Sequence, residues 1–176
     1  MSMDTLNDLF VHELKDLYSA EHQLIKALPK MVKAADNIHL SSALAQHLTQ
    51  TEEHARRIKA IFSAGLEGSP RGKKCAAMEG LVTEGKEVID EDGTPDVKDA
   101  ALIGAPQHVE HYEIAAYGTA RAHAQQLGYA NAARLLEQTL HEESSANEKL
   151  TQIAEDSVNV SAAQKHNAAE PMPIDN

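Results

Sequence analysis

Chain breakers divide this sequence into long segments whose apolar residues recur with the period of an α-helix. Gly65, Gly93 and Gly128 each stand where the glycine after a helix C-terminus would stand, and Asp36-Asn37 separates the first two segments. Within the segments, apolar side chains return every three or four residues, which is typical of a helix with one buried face. The pattern predicts helices near residues 4–34, 38–64, 75–91, 96–127 and 129–157.

The composition favours helices over other fold classes. Alanine, the residue with the highest helix propensity, accounts for 28 of the 176 residues. Only four tyrosines and two phenylalanines are present, without tryptophan, which is few for the core of a β-sandwich or barrel. The single cysteine excludes both a disulfide framework and a zinc site built from several cysteines.

Charge and hydropathy exclude several kinds of partner. The chain carries 16 Lys and Arg against 27 Asp and Glu, a net charge of −11, so it lacks the basic face and stacking aromatics of a nucleic-acid binder. Its longest apolar run, residues 100–106, is far too short to span a membrane. Because the N-terminus lacks a basic region followed by an apolar run, we expect no signal peptide and a cytoplasmic location.

The order of long and short helices predicts an all-α, ferritin-like four-helix bundle. Short breaks at Asn37 and Gly128 join the four long helices into two antiparallel pairs. The segment 65–95 carries the chain from one pair to the other and contains an extra short helix, and one long crossover is the connectivity of ferritin-like folds. We expect a bundle domain over 1–160 and a disordered tail over 161–176, where the periodicity is lost.

Each long helix places polar residues on the stripe that faces the bundle axis. These residues lie near the midpoints of their helices, and midpoints of antiparallel helices of similar length lie at one level. The sequence therefore predicts one polar layer across the bundle. Its members are Glu21 in the first helix, His47, Thr51 and His54 in the second, Glu110 and Glu113 in the third long helix, and Glu143 with Asn147 in the last.

A layer of facing carboxylates requires a source of positive charge, since buried carboxylates are costly and repel one another. Two metal ions would supply that charge, and carboxylates with imidazoles are the ligands that iron and manganese find in such bundles. Glu110 and Glu113 form the most specific pair, because a spacing of three residues places both on one helix face. We therefore expect two metal ions, iron or manganese.

The second helix fits a metal site least well. Dimetal bundles carry an inward Glu-x-x-His pair, and neither His47 nor His54 belongs to one. The two histidines are seven residues apart, about 10 Å along the axis, so which of them ligates is left open. Glu53 lies one residue off the inward stripe. The alternative is a metal-free bundle in which the polar residues set register or bind water.

Four segments together carry a family resemblance: LYSAEHQL at 17–24, CAAMEGL at 75–81, VEHYEIA at 109–115 and AARLLEQTLHEE at 132–143. They resemble the YciE/YciF family of bacterial ferritin-like stress proteins, and the match covers residues 3–160. The resemblance implies a ferritin-like bundle, a cytosolic homodimer, a role in stress responses and an iron-type dimetal site. Glu21, His47, Glu110, Glu113 and Glu143 match residues that the family pattern shares.

One position departs from the family pattern. The family has Glu where this chain has Gln50, and a neutral amide is a weaker partner for a trivalent ion. The candidate metal ligands are thus Glu21, His47, Gln50, His54, Glu110, Glu113 and Glu143. Tyr18 and Tyr117 are spaced to hydrogen-bond a ligand carboxylate.

Two function hypotheses follow. The first is a dimetal protein that handles dioxygen or peroxide during stress, as an oxidase or a peroxide-consuming enzyme. The second is a metal-free dimeric stress protein with a binding or scaffold role, which Gln50 and the missing Glu-x-x-His pair favour.

Overall fold

The computed structural model describes residues 3–169, and within that range every regular element is helical. The elements are α1 (Leu6–Ala34), α2 (Ile38–Ser63), α3 (Ala76–Asp90), α4 (Pro95–Gln126) and α5 (Ala130–Ile153), followed by a π-helical turn (Ala154–Val158) and α6 (Asn159–Ala169). The all-α prediction is confirmed, and the first four predicted helices agree with the structure to within two residues at each end.

Local chemistry accounts for the helix boundaries. Thr5 and Asp8 form a capping box at the start of α1, with the Thr5 hydroxyl accepting from the Asp8 amide at 3.1 Å. The Asn37 side chain accepts from the amides of His39 and Leu40 and starts α2. Gly128, with φ of +75°, supplies the left-handed residue that separates α4 from α5.

The four long helices surround one axis. α1 packs on α2 and α4, and α5 packs on the same two helices from the opposite corner, while α3 covers the outer face of α1 and α4. The turn between α1 and α2 is held against α4 by the buried Asp99, whose carboxylate accepts from the amides of Asp36 at 3.0 Å and Asn37 at 2.7 Å. The predicted bundle with a long helical crossover is thus present.

The core consists of two apolar clusters with the polar layer between them. In α1, Leu17 belongs to the first cluster and Leu24 to the second, so Glu21 lies at their boundary. The same boundary falls between residues 44 and 55 of α2, 109 and 117 of α4, and 136 and 150 of α5. The polar residues of all four long helices therefore lie at one level along the bundle axis, as predicted from the midpoints of the helices.

The last helix extends beyond its predicted end. Helix was expected to stop at residue 157, yet α6 continues to Ala169 and packs against α4. The stretch is rich in alanine, whose helix propensity is high. Because it has no clear apolar stripe, the periodicity of the sequence did not predict this helix. Residues 161–169, expected in the tail, are thus helical, and 170–176 lie outside the described residues. No helix in the described range is long and apolar enough to cross a membrane.

Candidate metal centre

Six of the seven candidate ligands meet in the interior between the two apolar clusters. Glu21, His54, Glu113 and Glu143 have no exposed surface. Glu110 is 1% and His47 5% exposed. Burial of this many ionisable groups in one layer is unusual, because charged side chains are almost never fully buried unless they are paired.

These residues form two overlapping groups with the geometry of metal ligands. His47, Glu110, Glu113 and Glu143 each offer one ligand atom within 4.8 Å of the others. Glu21, His54 and Glu143 do the same. Since Glu143 belongs to both groups, the arrangement offers two adjacent candidate cation positions with one carboxylate in common.

The two oxygens of Glu143 face different histidines. Its Oε1 lies 2.8 Å from His54 Nδ1, and its Oε2 lies 3.9 Å from His47 Nε2. His47 Nε2 is also 3.1 Å from Glu110 Oε1, and His54 Nδ1 is 3.7 Å from Glu21 Oε1. The imidazole centroids are 6.5 Å apart, so both histidines border the cluster although the sequence left their ranking open.

Most polar atoms of the cluster form no hydrogen bond of regular geometry among the described residues, although two histidine–carboxylate contacts are as short as 2.8 and 3.1 Å. These atoms are both oxygens of Glu110, Glu113 and Glu143, Oε2 of Glu21, both nitrogens of His47 and Nδ1 of His54. Buried polar atoms in proteins are nearly always satisfied, so ten such atoms in one layer require a ligand or bound protons. Two divalent cations would balance the four carboxylate charges, so the donor set fits a pair of metal ions.

His54 is oriented from outside the cluster. Its Nε2 lies 2.8 Å from Glu142 Oε2. The same carboxylate accepts from Arg57 Nη1 at 2.7 Å and Nη2 at 2.9 Å. With Nε2 donating to Glu142, Nδ1 faces Glu143 and Glu21 and would direct a lone pair at a bound ion once its proton is lost. Carboxylates impose this arrangement on metal-bound histidines. Sequence reasoning missed this pair, although Arg57 follows His54 by three residues and Glu142 precedes Glu143.

Tyr117 is the tyrosine that contacts the cluster. Its hydroxyl donates a hydrogen bond to Glu21 Oε1 in the fully buried interior. Tyr18 instead packs edge-on against His22, with ring centroids 4.3 Å apart. Of the two tyrosines with suitable spacing, only Tyr117 therefore contacts a candidate ligand among the contacts described.

A family model for a domain of unknown function, DUF892, matches residues 5–163. The chain belongs to the DUF892 family. Protein YciF of Escherichia coli K12 is 47% identical over 165 residues, which span 94% of this chain and 99% of that protein. The resemblance to YciF read from the sequence is thereby confirmed.

Solved structures show the same bundle. The crystal structure of the E. coli stress protein YciF matches with a TM-score of 0.86, covering 89% of this chain and 99% of that one. YcfI of Rhodopseudomonas palustris, for which a structural role is suggested, matches with a TM-score of 0.82 at 43% identity. The match covers 88% of this chain and 99% of that one. A Xanthomonas campestris protein with 20% sequence identity shares the fold with a TM-score of 0.74, and the match covers 92% of this chain and 99% of that one.

Gln50, the departure from the YciE/YciF pattern, lies at the edge of the cluster. It is half-buried and lines, with His47, Glu110 and Lys149, a small cavity of about 80 Å³. Glu53 points away and pairs with Arg56 at 2.7 Å on the surface. The second helix of this DUF892 protein thus supplies two imidazoles to the interior and no carboxylate.

Without metal, burial and the charges of neighbouring carboxylates favour the protonated forms of several side chains in the cluster. Burial, reinforced by the neighbouring carboxylates of Glu143 and Glu21, raises the pKa values of Glu110 and Glu113 well above the usual range. Burial alone would lower the pKa of His54, but its contacts with Glu142, Glu143 and Glu21 outweigh burial and raise the pKa to about 12. Metal binding must displace protons from these groups.

Proposed function

We propose that this DUF892 protein is a ferritin-like dimetal carboxylate protein that handles dioxygen or peroxide during bacterial stress. Iron is the favoured metal and manganese the second. The observation that carries the proposal is Glu143, whose two oxygens face His47 and His54 within two overlapping ligand groups. The description of the E. coli relative as a stress protein supports the physiological setting.

The ligands divide between two positions. His47, Glu110 and Glu113 would hold one ion, Glu21 and His54 the other, and Glu143 both. When bound, a pair of iron ions supplies the electrons that reduction of dioxygen or peroxide requires.

The surrounding residues prepare the centre for that chemistry. The apolar clusters on either side exclude bulk water from the carboxylates, which strengthens every charge interaction inside. Arg57 and Glu142 fix the ring of His54. Burial and the Glu21 carboxylate raise the pKa of Tyr117, so its hydroxyl keeps its proton and remains a donor to Glu21.

Metal analysis of the purified protein tests the proposal. Protein prepared without chelator, or titrated with ferrous iron without oxygen, should bind two ions per chain and should oxidise the iron when air or peroxide is added. Glu110→Ala should lose metal, whereas Glu148→Gln, an exposed change on the same helix as Glu143, should not. Absence of stoichiometric metal in the wild type would refute the proposal.

A metal-free scaffold is the competing function, and the raised pKa values of Glu110 and Glu113 favour it, because protonated carboxyls can be buried without a counter-charge. The two functions differ in one measurement. A scaffold predicts that Glu113→Ala or Glu21→Ala leaves the thermal midpoint unchanged or raised, with or without metal. The dimetal function predicts that ferrous or manganous ions raise the midpoint of the wild type and raise that of the variants by less, because each variant loses a ligand of one position.

The proposal includes a homodimer, which the YciE/YciF resemblance suggested. Sedimentation equilibrium of the purified protein would test it, with twice the chain mass of 19.1 kDa as the expected result.

A further inference from the structure

A cavity of about 270 Å³ lies between α1, α3 and α4 and ends at the candidate metal centre. Its walls are mostly apolar, formed by side chains such as Leu24, Leu28 and Met31 of α1 and Leu81 and Val82 of α3. A space of this size equals the liquid volume of about nine water molecules, yet hydrocarbon walls offer water few partners. Such a cavity suits an apolar occupant.

Small residues keep the cavity open. Ala27, Gly85 and Ala105 line it from three different helices. A Cβ at the buried Gly85 would lie 3.7 Å from Ala105 Cβ and 4.0 Å from Met31 Cε, so α3 approaches both helices closely there without filling the space beside them. These small side chains therefore leave a cleft between the helices that is open to solvent at its outer end.

The two ends of the cavity differ in charge. The inner end is formed by His47 and Glu110, which are more than nine-tenths buried and lie in contact with each other, with His47 Nε2 at 3.1 Å from Glu110 Oε1. The outer rim carries the exposed Lys26 and Lys30, one helical turn apart, and Lys86 of α3. Lys86 is 4.0 Å from Asp90, but both are more than half exposed, so this pair screens the rim weakly.

We propose that this cavity binds an acidic amphiphile, a molecule with an unbranched hydrocarbon chain and one carboxylate head. The chain lies along the apolar wall with its end toward His47 and Glu110, and the head group binds the three lysines at the rim. Charge complementarity sets this direction, because the rim is cationic in a protein whose net charge is −11. Binding itself requires no metal.

An occupant would also cover the His47 side of the metal centre and limit what reaches it from that side. This consequence rests on the proposed dimetal function, whereas the ligand site does not. The two are therefore tested separately, the first with metal-loaded and the second with metal-free protein.

Calorimetric titration of the metal-free protein with decanoate tests the ligand site. Decanoate should bind one per chain, acetate should not bind, and decyltrimethylammonium, which has the same chain and the opposite charge, should bind at least tenfold more weakly. Neutralising the rim with Lys26→Gln, Lys30→Gln and Lys86→Gln together should weaken decanoate binding about tenfold. Equal affinity for the anionic and cationic amphiphiles would overturn the proposal, as would no binding of decanoate.

Matched variants separate the site from general effects. Ala27→Leu, which fills the cavity, should abolish decanoate binding, whereas Ala45→Leu on the exposed face of α2 should preserve it. The triple change Arg56→Gln, Lys59→Gln and Lys74→Gln removes the same charge from exposed positions outside the cavity and should leave affinity unchanged. Circular dichroism checks that each variant is folded. If Ala27→Leu does not fold, the surface charge variants still test the proposal.

Metal loading distinguishes failure of the two proposals. Decanoate should slow ferrous oxidation in the wild type, and about tenfold more decanoate should be needed for the same slowing in the rim variant. Decanoate binding without stoichiometric metal would refute the dimetal function alone. Stoichiometric metal without decanoate binding would overturn the ligand site alone.

Discussion

Glu143 is the residue on which both candidate cation positions depend. Glu143→Gln replaces the shared carboxylate with an amide and should abolish stoichiometric binding at both positions, because each would lose a charged ligand. Glu21→Gln affects one group only and should leave one ion per chain. Metal content by mass spectrometry of the dialysed proteins checks both. Retention of two ions by Glu143→Gln would show that the carboxylate is not shared.

Glu142 acts on the centre through His54 without entering the cluster. Glu142→Gln removes the charge that orients the imidazole and should weaken metal affinity by about 10- to 100-fold, the usual loss when such a partner is removed. Competition with a chromophoric chelator measures the affinity. Glu137→Gln is the matched control, since Glu137 also lies on α5 and pairs with an arginine, Arg121, away from the cluster. Equal losses in both variants would exclude a positioning role.

At the scale of elements, Asp99 joins three helices. Its buried carboxylate satisfies two backbone amides in the turn between α1 and α2. Asp99→Ala would leave both amides unpaired and should lower the free energy of unfolding by about 2–3 kcal/mol. Urea denaturation of the metal-free protein measures this change. Asp92→Ala, an exposed change near the start of α4, should have no comparable effect.

The helices and their polar layer could be read from the sequence because both depend on local spacing. Breakers such as Gly128 mark helix ends, and the midpoint rule placed Glu21 and Glu143 at one level before any contact was known. The sequence could not decide which of His47 and His54 is a ligand. The rise per residue places their Cα atoms about 10 Å apart along the axis, but it does not place the imidazole rings, whose centroids lie 6.5 Å apart.

The surroundings of the centre were beyond sequence reasoning for a different reason. The contact of Arg57 with Glu142 and the cavity beneath α3 arise from how separate helices face each other, which no spacing within one helix specifies. The extension of α6 was missed because alanine-rich helix carries little periodic signal.

At the scale of the molecule, the cluster should make stability depend on pH. The pKa values of Glu110 and Glu113 are raised by folding, so the stability they contribute is complete below their unfolded pKa, near 4.5, and is lost as pH rises through their folded values. The metal-free protein should therefore become less stable from pH 5 upward across the neutral range.

Thermal denaturation at several pH values, with and without manganous ions, measures this dependence. Added metal should reverse the loss, because the ions take the place of the protons. The double variant Glu110→Gln and Glu113→Gln should show a flatter profile in the absence of metal. A wild-type profile that rises toward pH 8 would contradict the assignment of these two carboxyls.

The division of the core into two apolar clusters also has a consequence for motion. Helices ordinarily fray from their ends, so amide hydrogen exchange is slowest at their centres. Here the centre of every long helix carries the unpaired polar layer, and apolar packing holds the segments on either side. In the metal-free protein, amides near Glu21, His54 and Glu143 should exchange faster than those one or two turns away. Local opening of the metal-free bundle would therefore begin at the middle of its long helices, and metal binding would suppress that opening.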